Sequence, residues 1–357
     1  MSDAGIEIPV RATIRAEVLG DDLVEPSRIL RGELGDPHLV PLPGAVGLPG
    51  TIALPRTVVH LADLPVSLTA HGWRLTGSRA GYDAAARRTR SHQRTLLGIA
   101  ADLAEGRPLG PTSMSVVGPA TLVARLALPS GEPVLSDAGA VRDVAQAWIE
   151  SMAALAGATE ASLPGTQAVL DVVEPDLAAV TSGTVRSSSG YRQLPAWDKA
   201  HVGEAWTELA RRARTILPVQ AAGLTALRDL PALTTAVAGP DGEPERQAVP
   251  RVAVRIRRPD APEGYVPVAT WVESGHDVVV EIPTPDPAPG RVANLARSVA
   301  VPWRRLGLDA AALTHVVVAT GADDPVTPLR LRGHAATARD CADALELVRH
   351  DDLEAIA

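Results

Sequence analysis

The side chains able to do chemistry are scattered along this chain. Histidine occurs at positions 38, 60, 71, 92, 201, 276, 315, 334 and 350, and cysteine once, at Cys341. No pair of histidines falls at HxH, HxxxH or HxxEH spacing, so no local metal-binding string is present. One cysteine excludes a disulfide framework and any site that needs two thiolates from one chain. Walker A, GxGxxG and GxSxG strings are absent as well.

What remains is a set of polar residues at the ends of apolar runs. Glu174-Pro175 closes the run Gln167–Val173 and offers one acid, either to a polar ligand group or to a neighbouring arginine. Arg255 and Arg257 alternate with Val252, Val254 and Ile256, so a strand there puts both guanidinium groups on one face. A guanidinium binds carboxylate or phosphate bidentately; the plainer alternative is that both project into solvent. Gly118-Pro119 with Thr121 forms a strand-to-helix turn, and Trp73 either lines a mouth or fills an aromatic-poor core. Asp323 and Asp324 suit a hard cation or simple solvation. Ser187–Gly190 offers hydroxyls and amides to an anion, or is only a loop. Asp137, Arg142 and Asp143 fit the electrostatics of a helix start.

These residues need a scaffold, and composition limits which one. The chain has 357 residues, a net charge of -8, 46% hydrophobic residues, 31 Pro, and no Phe. That apolar fraction builds a sizeable core and excludes wholesale disorder. The acidic balance and 3% aromatic content argue against a nucleic-acid partner. No apolar run is long enough to span a membrane, and the first residues carry acids rather than a basic region, so a cytoplasmic location without membrane partners is expected.

Short β-rich runs alternate with helical patterns. The expected strands are Arg11–Val18, Val58–Leu61, Ser113–Val117, Gln167–Val173, Ile216–Gln220, Arg251–Ile256, Asp277–Ile282 and His315–Ala319. The expected helices are Arg79–Glu105, Asp137–Glu160, Ala200–Leu217, Leu224–Val237, Arg291–Leu306 and His334–His350. In the second, Ser136 is the expected N-cap and Gly157 the expected stop. Gly239–Pro250 and Pro283–Gly290 read as loops. Strand and helix alternate about eight times, the pattern of a (β/α)8 TIM barrel; a doubly wound open sheet fits it too. The chain reads as one domain, 1–357, in which 1–60 is a Pro-rich lead-in that includes the first strand.

Six strings occur in a fixed order: LPVSLTAHGWRL (64–75), VVGPATLVARLAL (116–128), SDAGAVRDVAQAW (136–148), VVEPDLAAVTSGTVRSSSGYRQL (172–194), VEIPTPDPAPG (280–290) and PWRRLGLDAAALTHVVVATGADD (302–324). Together they resemble an actinobacterial group similar to the C-terminal catalytic barrel of cobalamin-independent methionine synthase, which also resembles uroporphyrinogen decarboxylase. The resemblance covers roughly residues 10 to 350 and implies a (β/α)8 barrel. In active members it implies methyl transfer from a folate-type donor to a thiol, held by zinc through one His, two Cys and a Glu. Zinc is needed because a free thiol, with a pKa of about 8.5, is mostly protonated at neutral pH.

The chain departs from that pattern where the metal would sit. The His-Cys string falls on either VRIRRPDAP (254–262) or LPVQAAGL (217–224), and neither holds His or Cys. The later cysteine falls in ATGADDPV (319–326), which has no thiol, and Cys341 lies beyond it in a helical pattern. The Gly-Ser string that ends the family's first strand is replaced near Arg15 and Ala16, and its Asp-Glu-Pro survives as Val173-Glu174-Pro175. The expectation is a methionine synthase-like barrel that has lost zinc and thiol methyl transfer and binds a small molecule. The alternative is an active superfamily enzyme, a zinc-independent methyltransferase or decarboxylase, acting on an anionic substrate. No cofactor and no metal are expected. The expected ligand-binding residues are Glu174, Arg255, Gly118, Thr121, Trp73 and Asp323, with an anionic small molecule at the barrel mouth.

Overall fold

A computed structural model describes residues 9–15, 17–61, 64–76, 84–163, 165–218, 236–238, 244–246, 252–257, 266–273, 275–283, 291–321 and 324–350. Eight strands form one sheet: β1 (Arg11–Arg15), β2 (Val40–Pro41), β3 (Gly110–Val117), β4 (Thr166–Val173), β5 (Arg214–Pro218), β6 (Val252–Arg257), β7 (Asp277–Ile282) and β8 (Val316–Gly321). Their order in space is β1-β8-β7-β6-β5-β4-β3-β2, and every pairing is parallel. The amide of Leu39 donates to the carbonyl of Ala12 (2.9 Å), which brings the two ends of the sheet together. Consecutive strands are therefore neighbours around a nearly closed ring. That is a TIM-like barrel, and it excludes the doubly wound alternative, whose strand order reverses partway.

Helices surround the ring: α1 (Val24–Glu33), α2 (Ala53–His60), α3 (Ala84–Ala104), α4 (Pro119–Arg125), α5 (Ala138–Ser162), α6 (Leu177–Ser182), α7 (Lys199–Arg212), α8 (Val266–Glu273), α9 (Arg291–Arg305) and α10 (Pro328–His350). Period-two alternation sorts the strand residues. Val278, Val280 and Ile282 join the large core between strands and helices, while Val279 joins a separate cluster with Leu39, Ile216, Ala253, Val317 and Ala319. That second cluster draws on strands around the ring, so it fills the lumen.

Several local expectations are corrected. Val58–Leu61 is not a strand, because Val58 and Val59 lie in α2. Both are fully buried there, and the Thr57 hydroxyl donates to the carbonyl of Ala53, so packing overrides the β-branched preference. The helix expected over Ala200–Leu217 stops at Arg212, and its apolar tail becomes β5. The missing eighth strand is β2, two residues long, inside the Pro-rich lead-in. Asp137, not Ser136, caps α5, accepting from the amide of Ala140, and the helix runs through Gly157 to Ser162. Helix α10 starts at Pro328, six residues before the expected start, using proline where its missing N–H costs nothing. Of the helix expected over Leu224–Val237, 224–235 lie outside the described residues, and Ala236–Ala238 pairs as a strand with Pro244–Arg246. The remainder of Gly239–Pro250 also lies outside them, as do residues 284–290. No helix among the described residues is long and apolar enough to cross a membrane.

Candidate functional site at the barrel mouth

Charged side chains lie above and below the apolar lumen cluster. At the N-terminal end, Asp277 accepts from the Arg11 guanidinium (2.7 Å), and its other oxygen lies 3.1 Å from Nδ1 of His315. The Trp271 indole donates to the Asp277 carbonyl (2.9 Å), fixing the backbone at the same residue. This floor ties β1, β7 and the segment leading into β8.

Among the described residues, the C-terminal end carries four inward charges on strands far apart in sequence. Asp171, Arg255 and Glu281 each lie two residues beyond a member of the lumen layer (Val169, Ala253 and Val279), so alternation points them inward too. Arg255 is 5% exposed and gives Nη2 to Asp171 at 2.7 Å and Nε to its other oxygen at 3.4 Å. Its Nη1 is 3.9 Å from Oε1 of Glu281 and makes no hydrogen bond among the described residues. The same Oε1 lies 3.5 Å from Nη2 of Arg15. A line of alternating charge, Asp171–Arg255–Glu281–Arg15, thus crosses the mouth from β4 to β1. Gly321 on β8 makes room for it, since a Cβ there would crowd Oε1 of Glu281. Burial of Arg255 overturns the alternative that it projects into solvent. For Arg257 only the backbone is described.

Beside this line, Arg56 of α2 is buried and donates Nη1 to the carbonyl of Ser115 (2.9 Å) on β3. Burial pushes its pKa down to about 10, with the charge of Glu17 opposing the fall. Burial pushes the Glu17 carboxyl up in turn, and Arg56 restrains it. Sequence reasoning missed Arg56 because an arginine in a short helical run has no local mark of burial.

Glu174 follows the last residue of β4 and is 4% exposed. It accepts from the amides of Ala120 (3.0 Å) and Thr121 (2.6 Å), one on each oxygen, at the start of α4. A side chain at Gly118 would overlap that carboxylate, so glycine is required by close approach. The Thr121 hydroxyl accepts from the amide of Asp176 (3.2 Å) and joins the two loops. Burial pushes the pKa of Glu174 up to about 7; the hydrogen bonds at Thr121 and Ala120 oppose the rise. The Trp206 indole is close enough to act in the same direction, though its N–H makes no hydrogen bond of good geometry among the described residues. Gly118, Thr121 and Glu174 are therefore one unit, with both carboxylate oxygens engaged. The partner of Glu174 is backbone, rather than the arginine that sequence reasoning weighed.

The other expected residues lie elsewhere. Trp73 is in a hairpin of Val66–Thr69 with Gly72–Leu75 and is buried in the outer core. Asp323 lies outside the described residues, and Asp324 is exposed. The Ser187–Gly190 loop does hold a carboxylate, that of Glu132, through the amide (3.0 Å) and hydroxyl (2.7 Å) of Ser188. These bonds draw the Glu132 pKa down.

The thiolate zinc site implied by the resemblance does not fit these residues. The one thiol is fully buried in α10 among the outer core, where burial pushes its pKa up to about 12. Among the described residues at the mouth, the inward charged groups are guanidinium and carboxylate, a poor set for a soft thiolate-type centre. Among the described residues, no group of three or more His, Cys, Asp or Glu is placed to hold a metal ion. No model of a known protein family matches the chain, and no curated protein matches it.

Proposed function

We propose that this chain is a methionine synthase-like barrel without thiol methyl transfer, which binds an anionic small molecule at its C-terminal mouth. The observation that carries this reading is Arg255, which is nearly buried and points inward, with Nη1 left without a hydrogen bond among the described residues. Asp171 holds two of its nitrogens, and the third, Nη1, is buried and lies 3.9 Å from Oε1 of Glu281. A guanidinium fixed in this way offers a pre-oriented donor to a carboxylate or phosphate. The C-terminal face is also where barrels of this kind assemble their ligand sites. Glu174 has a structural role in this reading, holding the turn into α4 beside the mouth.

The test is isothermal titration of the full chain with inorganic phosphate and with acetate, at low ionic strength. The comparison protein carries Arg255→Met and Asp171→Asn together, because removing Arg255 alone strands a buried carboxylate. Binding by the natural chain and its loss in the double variant support the proposal. Equal binding by both proteins, or none by the natural chain, would falsify it.

A further inference from the structure

Resting on that reading, we infer that Glu281 is a built-in competitor for the anion, and that the ligand position is the gap between Arg15 and Arg255. The two carboxylates of the mouth are held differently. Asp171 makes two hydrogen bonds to Arg255, the shorter 2.7 Å. Glu281 presents a single oxygen, Oε1, to Arg15 at 3.5 Å and Arg255 at 3.9 Å, and accepts no hydrogen bond among the described residues. Both its ion pairs are long, and its side chain is 16% exposed against 4% for Asp171. One carboxylate is locked and the other is a placeholder.

An oxyanion from outside brings two or three oxygens to the same gap. It satisfies the free Nη1 edge of Arg255 and the Arg15 guanidinium together, which a lone Oε1 at these distances does not. Charge supports the exchange. With Glu281 in place the line carries two positive and two negative groups; with its carboxylate turned aside, Arg15 and Arg255 face only Asp171, and the gap is net positive. Gly321 marks the space Oε1 now uses, because a Cβ there would crowd that oxygen. Arg15 sets the outer limit of the site, being one-third exposed at the end of β1. The ligand class is a small carboxylate or phosphate anion whose affinity is set by competition with a side chain of the protein itself.

Titrating the full chain with inorganic phosphate and with acetate, in natural form and as Glu281→Gln and Arg15→Gln, tests this. Gln keeps the shape of Glu281 and removes the competing charge, so phosphate should bind Glu281→Gln about tenfold more tightly and Arg15→Gln about tenfold more weakly. Acetate, with one carboxylate, should show the same signs with a smaller ratio. Unchanged or weaker binding by Glu281→Gln sinks the competitor while leaving the anion site standing. Binding by Glu281→Gln alone, with none by the natural chain, does the reverse: the competitor stands and the proposed function of the natural protein falls. Unchanged binding by Arg15→Gln moves the ligand away from the gap and overturns its placement.

Discussion

The two ends of the barrel are both charged, but they are built differently. At the floor one carboxylate, Asp277, is met by Arg11, by the His315 ring and, through its own carbonyl, by the Trp271 indole, with contacts of 2.7 to 3.1 Å. At the mouth the tight contacts stop with Asp171 and Arg255, and the line continues to Glu281 and Arg15 at 3.5 to 3.9 Å. Short, converging contacts on a buried carboxylate tie strands together. Long contacts on a partly exposed one leave a charge that is cheap to move. Under the proposed function, the contrast separates a structural end from an end that exchanges partners, the division expected of barrel enzymes and binders.

The sharpest way to break this contrast is at the floor. Asp277→Ala leaves Arg11 and His315 facing a buried gap and should cost about 3–5 kcal/mol in urea unfolding. A loss below that of Glu281→Gln would invert the two ends.

Next in size is the pH response of Glu174 beside the mouth. Its pKa rises from the ordinary carboxylate range to about 7 on folding. Below about pH 4.5 the side chain is neutral in both folded and unfolded chains. Between that point and pH 7 the unfolded chain ionises first, so the natural protein loses stability as pH rises. Relative to Glu174→Gln the loss should reach about 3 kcal/mol near pH 7 and then level off. Urea midpoints at four pH values would show it, and a gap that narrows with rising pH would refute the assignment of burial as the cause.

The smallest expected effect is at Glu281. Its long, partly exposed ion pairs predict a change within about 1 kcal/mol for Glu281→Gln in the same unfolding measurement. A loss as large as that of Asp277→Ala would show that the mouth is as tightly tied as the floor.

Much of the barrel was legible because its strands are short apolar runs bounded by turn residues. Asp277–Ile282 is read at its observed limits, since the run of three valines is bounded by Gly275 and Pro283. Val40–Pro41 is not, because two residues between prolines carry no period at all. The line of charges was legible only in part. Arg255 stands out by its place on a strand and Arg15 only as a departure from the family's Gly-Ser string, whereas nothing local marks Asp171 and Glu281. Arg255 and Asp171 are 84 residues apart, and Arg11 and Asp277 are 266 apart. No local spacing encodes such pairs. The one available signal is a carboxylate inside the apolar stretch of a strand, as at Asp171 in residues 168–173. That signal marks a group needing an opposite charge without saying which strand supplies it.

The first and second strands close the ring through a short joint. A stave of two residues, latched to its neighbour through the Leu39 amide and through the His38 ring, which accepts from the Ala12 amide (3.2 Å), leaves the hoop with a thin seam. Solvent deuterium should reach the Leu39 amide before those of the strands opposite, because the ring has somewhere to start unzipping.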